Sequence, residues 1–187
     1  MEGTYRTVLV RNEMLRLRCV DLGKGPPMLL LHGMFGDYLD WEPVIEPLAE
    51  RFRVIAVDLP GFGDSDKPDT EYDSELFIGA IRALLQDLGI PKVTLVGNSF
   101  GGLLALLFVL ECPEAIEAVI LVGSGGLQAF DNTAVERANR VFTEKALLCL
   151  TPDIQRAMFA PVFVKNGEAR ERYLEKQNEK LKRADFQ

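Results

Sequence analysis

The sequence predicts an α/β fold built on a mostly parallel sheet. Four short apolar runs, "MLLLHG", "RVIAVD", "KVTLVGN" and "AVILVG", lie between residues 28 and 123. Helical stretches separate them, and parallel strands require such crossovers. The first two are continuous rather than alternating, which suits buried parallel strands.

Taken in order, residues 4–10 and 15–20 flank polar Arg11, Asn12 and Glu13 and predict a strand hairpin. "DLGKGPP" is a turn-rich link to the first buried strand. A helix is expected over residues 41–51, with Pro43 in its first turn, where a missing N–H costs nothing. The strand 53–58 leads into "LPGFGDSDKPDTEYD", a polar loop dense in Gly, Pro and Asp. Asp73 or Ser74 can cap the next helix, in which Leu76, Phe77, Ile81, Leu84, Leu85 and Leu88 recur at helical spacing. Gly89 and Pro91 stop it. After the strand "KVTLVGN" comes a helix over residues 100–111, ended by Cys112 and Pro113, and then the strand 118–123.

From about Asp131 the texture changes, and no further strand is evident. Residues 1–130 carry 10 Lys/Arg against 19 Asp/Glu, whereas residues 131–187 carry 11 against 9. The expected organisation is therefore a core over residues 1–130 and a separate helical segment over 131–187. The last helical stretch has a thin apolar stripe of Tyr173, Leu174 and Leu181 on an otherwise charged surface.

Composition narrows the class. The chain has 187 residues, 48% hydrophobic, with a net charge of −7. That is globular composition, and its sign disfavours nucleic acid and anionic membrane surfaces as partners. No run suits a bilayer span and "MEGTYRTVLVRNE" lacks a signal-peptide pattern, so a cytoplasmic location is expected. Cys19, Cys112 and Cys149 have neither disulfide-framework nor zinc spacing. No cofactor and no metal are expected.

The chemistry concentrates at "LVGNSFGG", residues 95–102. Gly97–Ser99–Gly101 forms a G-x-S-x-G pattern that a strand enters and a helix leaves. A sharp turn there strains the serine backbone and lifts Oγ above the sheet. The glycines fit because a Cβ at either place meets the neighbouring strand or helix. The helix N-terminus behind the serine offers free N–H groups to a developing oxyanion. Upstream, "LLLHGMFGD" ends a strand in His32–Gly33, and the Met34 N–H can join the Phe100 N–H as an oxyanion hole. "GFGDSDKP" is not a dinucleotide fingerprint, because no helix follows the glycines and three aspartates repel phosphate.

Together, "LLLHGMFGD", "VIAVDLPGFGDSDKP", "LVGNSFGGLLAL" and "AVILVGSGG" resemble, in order and spacing, the α/β-hydrolase fold family over residues 4–128. Asn98 and "GSGG" look most like the esterase and meta-cleavage product hydrolase branches. The resemblance implies Ser99 as nucleophile and Met34 and Phe100 as oxyanion donors. It places His32, Gly33, Gly97, Asn98 and Gly101 in support. It also implies an incomplete helical lid (cap) segment over residues 131–187 and a small ester or acyl (or C–C-bonded) substrate. Serine at 99 speaks against haloalkane dehalogenases and epoxide hydrolases, which carry aspartate there.

The departure from the pattern is equally specific. The family triad runs Ser, Asp/Glu, His in chain order, yet the only histidine of this sequence, His32, precedes Ser99. The acid position after the sixth strand holds Ser124, Gly125 and Gly126, and the next carboxylate is Asp131. The expectation is a core truncated before its last two strands, with weak or no turnover by itself. Its last strand would be an open edge for self-association or for a completing chain. The alternative is a non-catalytic ligand-binding or interaction protein reusing the hydrolase pocket.

Overall fold

The computed structural model describes residues 3–127 and four helical positions further on, Glu171, Arg172, Glu175 and Glu179, all exposed. The chain divides into two compact units, Met1–Gln128 and Ala129–Gln187. The segment expected to form a lid lies outside the described residues apart from those four positions.

Six strands form one sheet: β1 (Thr4–Val10), β2 (Glu13–Leu22), β3 (Pro27–Leu31), β4 (Arg53–Val57), β5 (Val93–Asn98) and β6 (Ile116–Val122). Their order is β1-β2-β4-β3-β5-β6. The pairs β1–β2 and β2–β4 are antiparallel, whereas β4–β3, β3–β5 and β5–β6 are parallel. The expected hairpin forms, and its tip places Arg11 and Asn12 at positive φ. β2 is longer than expected because residues 19–22 continue alongside β4. β6 likewise starts two residues early, where Ile116 pairs with Val93 across a register shift.

Three helices cover the sheet: α1 (Glu42–Ala49), α2 (Ser74–Asp87) and α3 (Phe100–Glu111). A 3₁₀ turn over Tyr38–Trp41 takes the start expected for α1. Asp73 rather than Ser74 caps α2, its carboxylate accepting the Leu76 N–H at 3.0 Å. The buried face of α2 holds Leu76, Phe77, Ile81, Leu84 and Leu85, as the spacing predicts. It packs with Leu104, Ala105 and Phe108 of α3 on one side of the sheet. On the other side a smaller cluster joins Met28, Leu30, Val54, Ala56 and Val96 to Ile45 of α1.

The central strands are buried throughout, so their carboxyl ends are rigid mounts for whatever follows. β6 is different. Among the described residues it pairs only with β5, and Ile120 and Val122 remain 46% and 45% exposed.

Candidate active site

Three strands deliver the candidate residues to one end of the sheet. β3 ends at His32–Gly33, β4 at Asp58–Leu59, and β5 at Asn98–Ser99. Ser99 has φ 51° and ψ −109°, a conformation that an L-residue adopts only at a cost of about 1–3 kcal/mol. The turn is pinned on both sides. The Ser99 N–H donates to the Val122 carbonyl, and the Ser99 carbonyl accepts from Gly102, Leu103 and Gly125. The side chain is exposed, as expected for a serine lifted off the sheet.

The glycines around it are required by contact. A Cβ on Gly97 would lie 2.4 Å from the Gly101 carbonyl oxygen, and one on Gly101 would lie 2.2 Å from that of Leu31. The helix therefore starts within touching distance of two strands. Gly33 faces the serine from β3, its Cβ position being 3.5 Å from Ser99 Cβ and 3.6 Å from Asn98 Nδ2.

Of the two residues expected as oxyanion donors, Phe100 directly follows Ser99 and Met34 directly follows Gly33. Phe100 is the first residue of α3, where an N–H has no intrahelical partner. Its half-buried ring stacks edge-on against Phe77, 5.2 Å between centroids, which seats the start of the helix on the core. Met34 lies in a tight turn closed by the Gly36 N–H on the Gly33 carbonyl (3.0 Å), and it is 40% exposed.

His32 is fully buried. Its Nε2 accepts the Leu59 N–H at 3.0 Å, so the proton sits on Nδ1, which donates to the Gly33 carbonyl at 2.8 Å. The Phe62 ring packs edge-on against the imidazole. Both ring nitrogens are thus committed to backbone, and His32 ties β3 to β4 instead of serving Ser99 as a base.

Asp58 is the residue that the sequence reading passed over. It is 1% exposed, and its two oxygens accept the Tyr38 and Asp64 N–H groups, each at 2.8 Å. Its carbonyl accepts the Ser65 hydroxyl, whose Oγ also accepts the Arg18 N–H. Arg18 in turn lies over the Tyr38 ring and pairs with Asp64. The available signal was a carboxylate directly after the apolar run of residues 54–57, which has to be satisfied by the loops beside it.

Burial pushes the Asp58 carboxyl up to about 6, and nearby Asp37 adds to this, against its two N–H donors and Arg18. In the unfolded chain an aspartate titrates near ~3.9. The folded state therefore binds this proton more tightly, and the contribution is largest at low pH and lost as pH rises from about 4 to 6. Wild type should lose stability relative to Asp58→Asn between pH 4.5 and 6.5, measured by thermal unfolding of both proteins. A constant gap would show that Asp58 does not titrate in that window.

Among the described residues, no group of three His, Cys, Asp or Glu side chains could hold a metal ion, and no helix is long and apolar enough to cross a membrane. Cys19 and Cys112 are buried thiols; Cys149 and Asp131 lie outside the described residues.

A strained serine between close-packed glycines thus stands at a sharp turn from the carboxyl end of a parallel strand to the start of a helix. The sequence profile of the α/β hydrolase fold matches residues 26–148, and the chain belongs to that family. It is 38% identical over 107 residues to a soluble epoxide hydrolase of Corynebacterium sp., covering 57% of this chain and 37% of that protein. It is 36% identical over 117 residues to a 2-hydroxymuconate semialdehyde hydrolase of Pseudomonas sp., covering 60% and 41%. Among solved structures, a probable hydrolytic enzyme of Pseudomonas aeruginosa superposes with a TM-score of 0.84 at 25% identity, over 99% of this chain and 62% of that one. The chain spans about two fifths of the length of the curated relatives it matches.

Proposed function

We propose that this chain carries the nucleophile half of a serine hydrolase acting on a small carboxylic ester or a related acyl or C–C bond. Ser99 is the attacking group. The N–H groups of Met34 and Phe100 receive the oxyanion. His32, Gly33, Gly97, Asn98 and Gly101 support the geometry. The observation that carries the reading is Ser99 itself: exposed, left-handed and held at the start of α3. A serine serving only as a helix cap has no need of such strain, and Ser99 makes no side-chain cap bond. Serine at this place, with the similarity to a 2-hydroxymuconate semialdehyde hydrolase, favours acyl or C–C cleavage over epoxide opening.

A hydroxyl needs a base to attack, and His32 is committed elsewhere. The 187 residues by themselves should therefore turn over substrate slowly, and a supplied base should restore part of the rate. The test is fluorophosphonate labelling with and without added imidazole, mapped by peptide mass spectrometry. Imidazole should accelerate labelling at Ser99 at least tenfold, and Ser99→Ala should remove that signal. Saturable ester binding with no labelling at Ser99 under imidazole would instead favour a pocket protein without catalysis.

A second reading concerns the base. The edge of β6 that no described strand pairs, with exposed Ile120 and Val122, can receive a strand from a second copy or a completing chain. Light scattering that shows only monomer across a dilution series would remove self-association.

A further inference from the structure

The turn beside the candidate nucleophile is strained, and the strain has an identifiable clamp. Residues 33–36 form a β-turn closed by the Gly36 N–H on the Gly33 carbonyl. Its third residue, Phe35, has φ 62°, and Met34 is not at positive φ. That combination is a type II turn, in which the third position ordinarily requires glycine. A phenylalanine there favours type I, which turns over the peptide between Met34 and Phe35 and exchanges the Phe35 N–H for the Met34 carbonyl on one face. Such a conformation persists only where its surroundings over-determine it.

The surroundings are the end of β4. Asp58 Oδ1 takes the Tyr38 N–H on the far side of the turn, at 2.8 Å. The next residue, Leu59, gives its N–H to His32 Nε2, and His32 Nδ1 reaches the Gly33 carbonyl on the near side. Two consecutive residues therefore fix both ends of a strained turn whose first residue lies against Ser99. Asp58 Oδ2 is taken up by the Asp64 N–H at 2.8 Å, and the loop comes so close to it that a Cβ on Gly63 would lie 2.2 Å from that oxygen.

We propose that Asp58 is a positioning residue for Ser99 chemistry: its carboxylate holds the Gly33–Gly36 turn in the strained peptide orientation that keeps acceptor oxygens out of the oxyanion site. The inference rests on the reading of Ser99 as nucleophile. Asp58 touches no reacting atom and acts through the turn.

The coupling is measurable because glycine at 35 removes the strain that the clamp resists. Asp58→Asn places an amide NH₂ against one of the two N–H donors. It should slow imidazole-supported fluorophosphonate labelling of Ser99 by about 100-fold, a carbonyl oxygen turned toward the oxyanion costing about as much as a lost donor. Repeated in a Phe35→Gly background, the same substitution should cost under about tenfold. A role confined to stability predicts equal factors in both backgrounds. Equal factors, or Asp58→Asn labelling at the wild-type rate, would overturn the proposal.

If Asp58→Asn does not fold, Phe35 alone supplies the test. Asparagine tolerates the left-handed region and valine does not, so Phe35→Asn should label at least about tenfold faster than Phe35→Val. Equal rates would reject the proposal. Absence of labelling in wild type under imidazole rejects the reading of Ser99 itself, and the inference with it.

Discussion

Gly101→Ala should destabilise the Met1–Gln128 unit by on the order of 4 kcal/mol or more, at the extreme end for a single methyl group. The reason is what the methyl meets. The added Cβ would sit 2.2 Å from the Leu31 carbonyl oxygen and 2.6 Å from that of His32. Both are backbone atoms at the end of β3, a central strand hydrogen-bonded to β4 and β5. No side chain can rotate to make room, so α3 has to lift from the sheet, taking Leu104, Ala105 and Phe108 out of the core. Gly125→Ala is the control, because its nearest neighbour would be the Ser99 carbonyl oxygen at an ordinary 3.5 Å. Urea denaturation of both variants gives the comparison. A Gly101→Ala midpoint within experimental error of Gly125→Ala would refute the contact argument.

The second large effect is expected at His32. His32→Ala should cost roughly 3–5 kcal/mol, combining a cavity at a fully buried site with the loss of two hydrogen bonds. The Leu59 N–H loses its acceptor and the Gly33 carbonyl loses one of its two donors. The loss should appear in thermal unfolding at neutral pH. Were His32 instead the base for Ser99, the alanine variant would keep its stability and lose only the imidazole-independent labelling.

Much of this fold is written in local pattern. Each apolar run expected as a strand is one, because short runs of apolar residues bounded by Gly, Pro or Asp have few other places to go. The capping of α2 by Asp73 and the glycine contacts around Ser99 were likewise legible, since both follow from short-range geometry. Boundaries were less so. The ends of β2 and β6 depend on how far a neighbouring strand runs, which is a fact about β4 and β5 and not about the residues being extended.

Asp58 was invisible for the same reason. Its role comes from Tyr38 and Asp64, residues 20 and 6 positions away that only the sheet order brings together. Phe35 gave a contrary signal, since a bulky residue does not announce a left-handed turn.

The left-handed backbone of Ser99 has a consequence for anyone improving this protein. The glycines around it admit α3, and His32 and Asp58 tie loops to strands. Ser99, like Phe35, works against the fold, because glycine would hold the same turn without strain. Selection for expression or heat resistance, applied without an assay for reactivity, will therefore enrich Gly at 99 and discard the proposed nucleophile first. A library screened that way becomes a detector: the position where the winners are more stable but dead marks where the protein gave up stability to do chemistry.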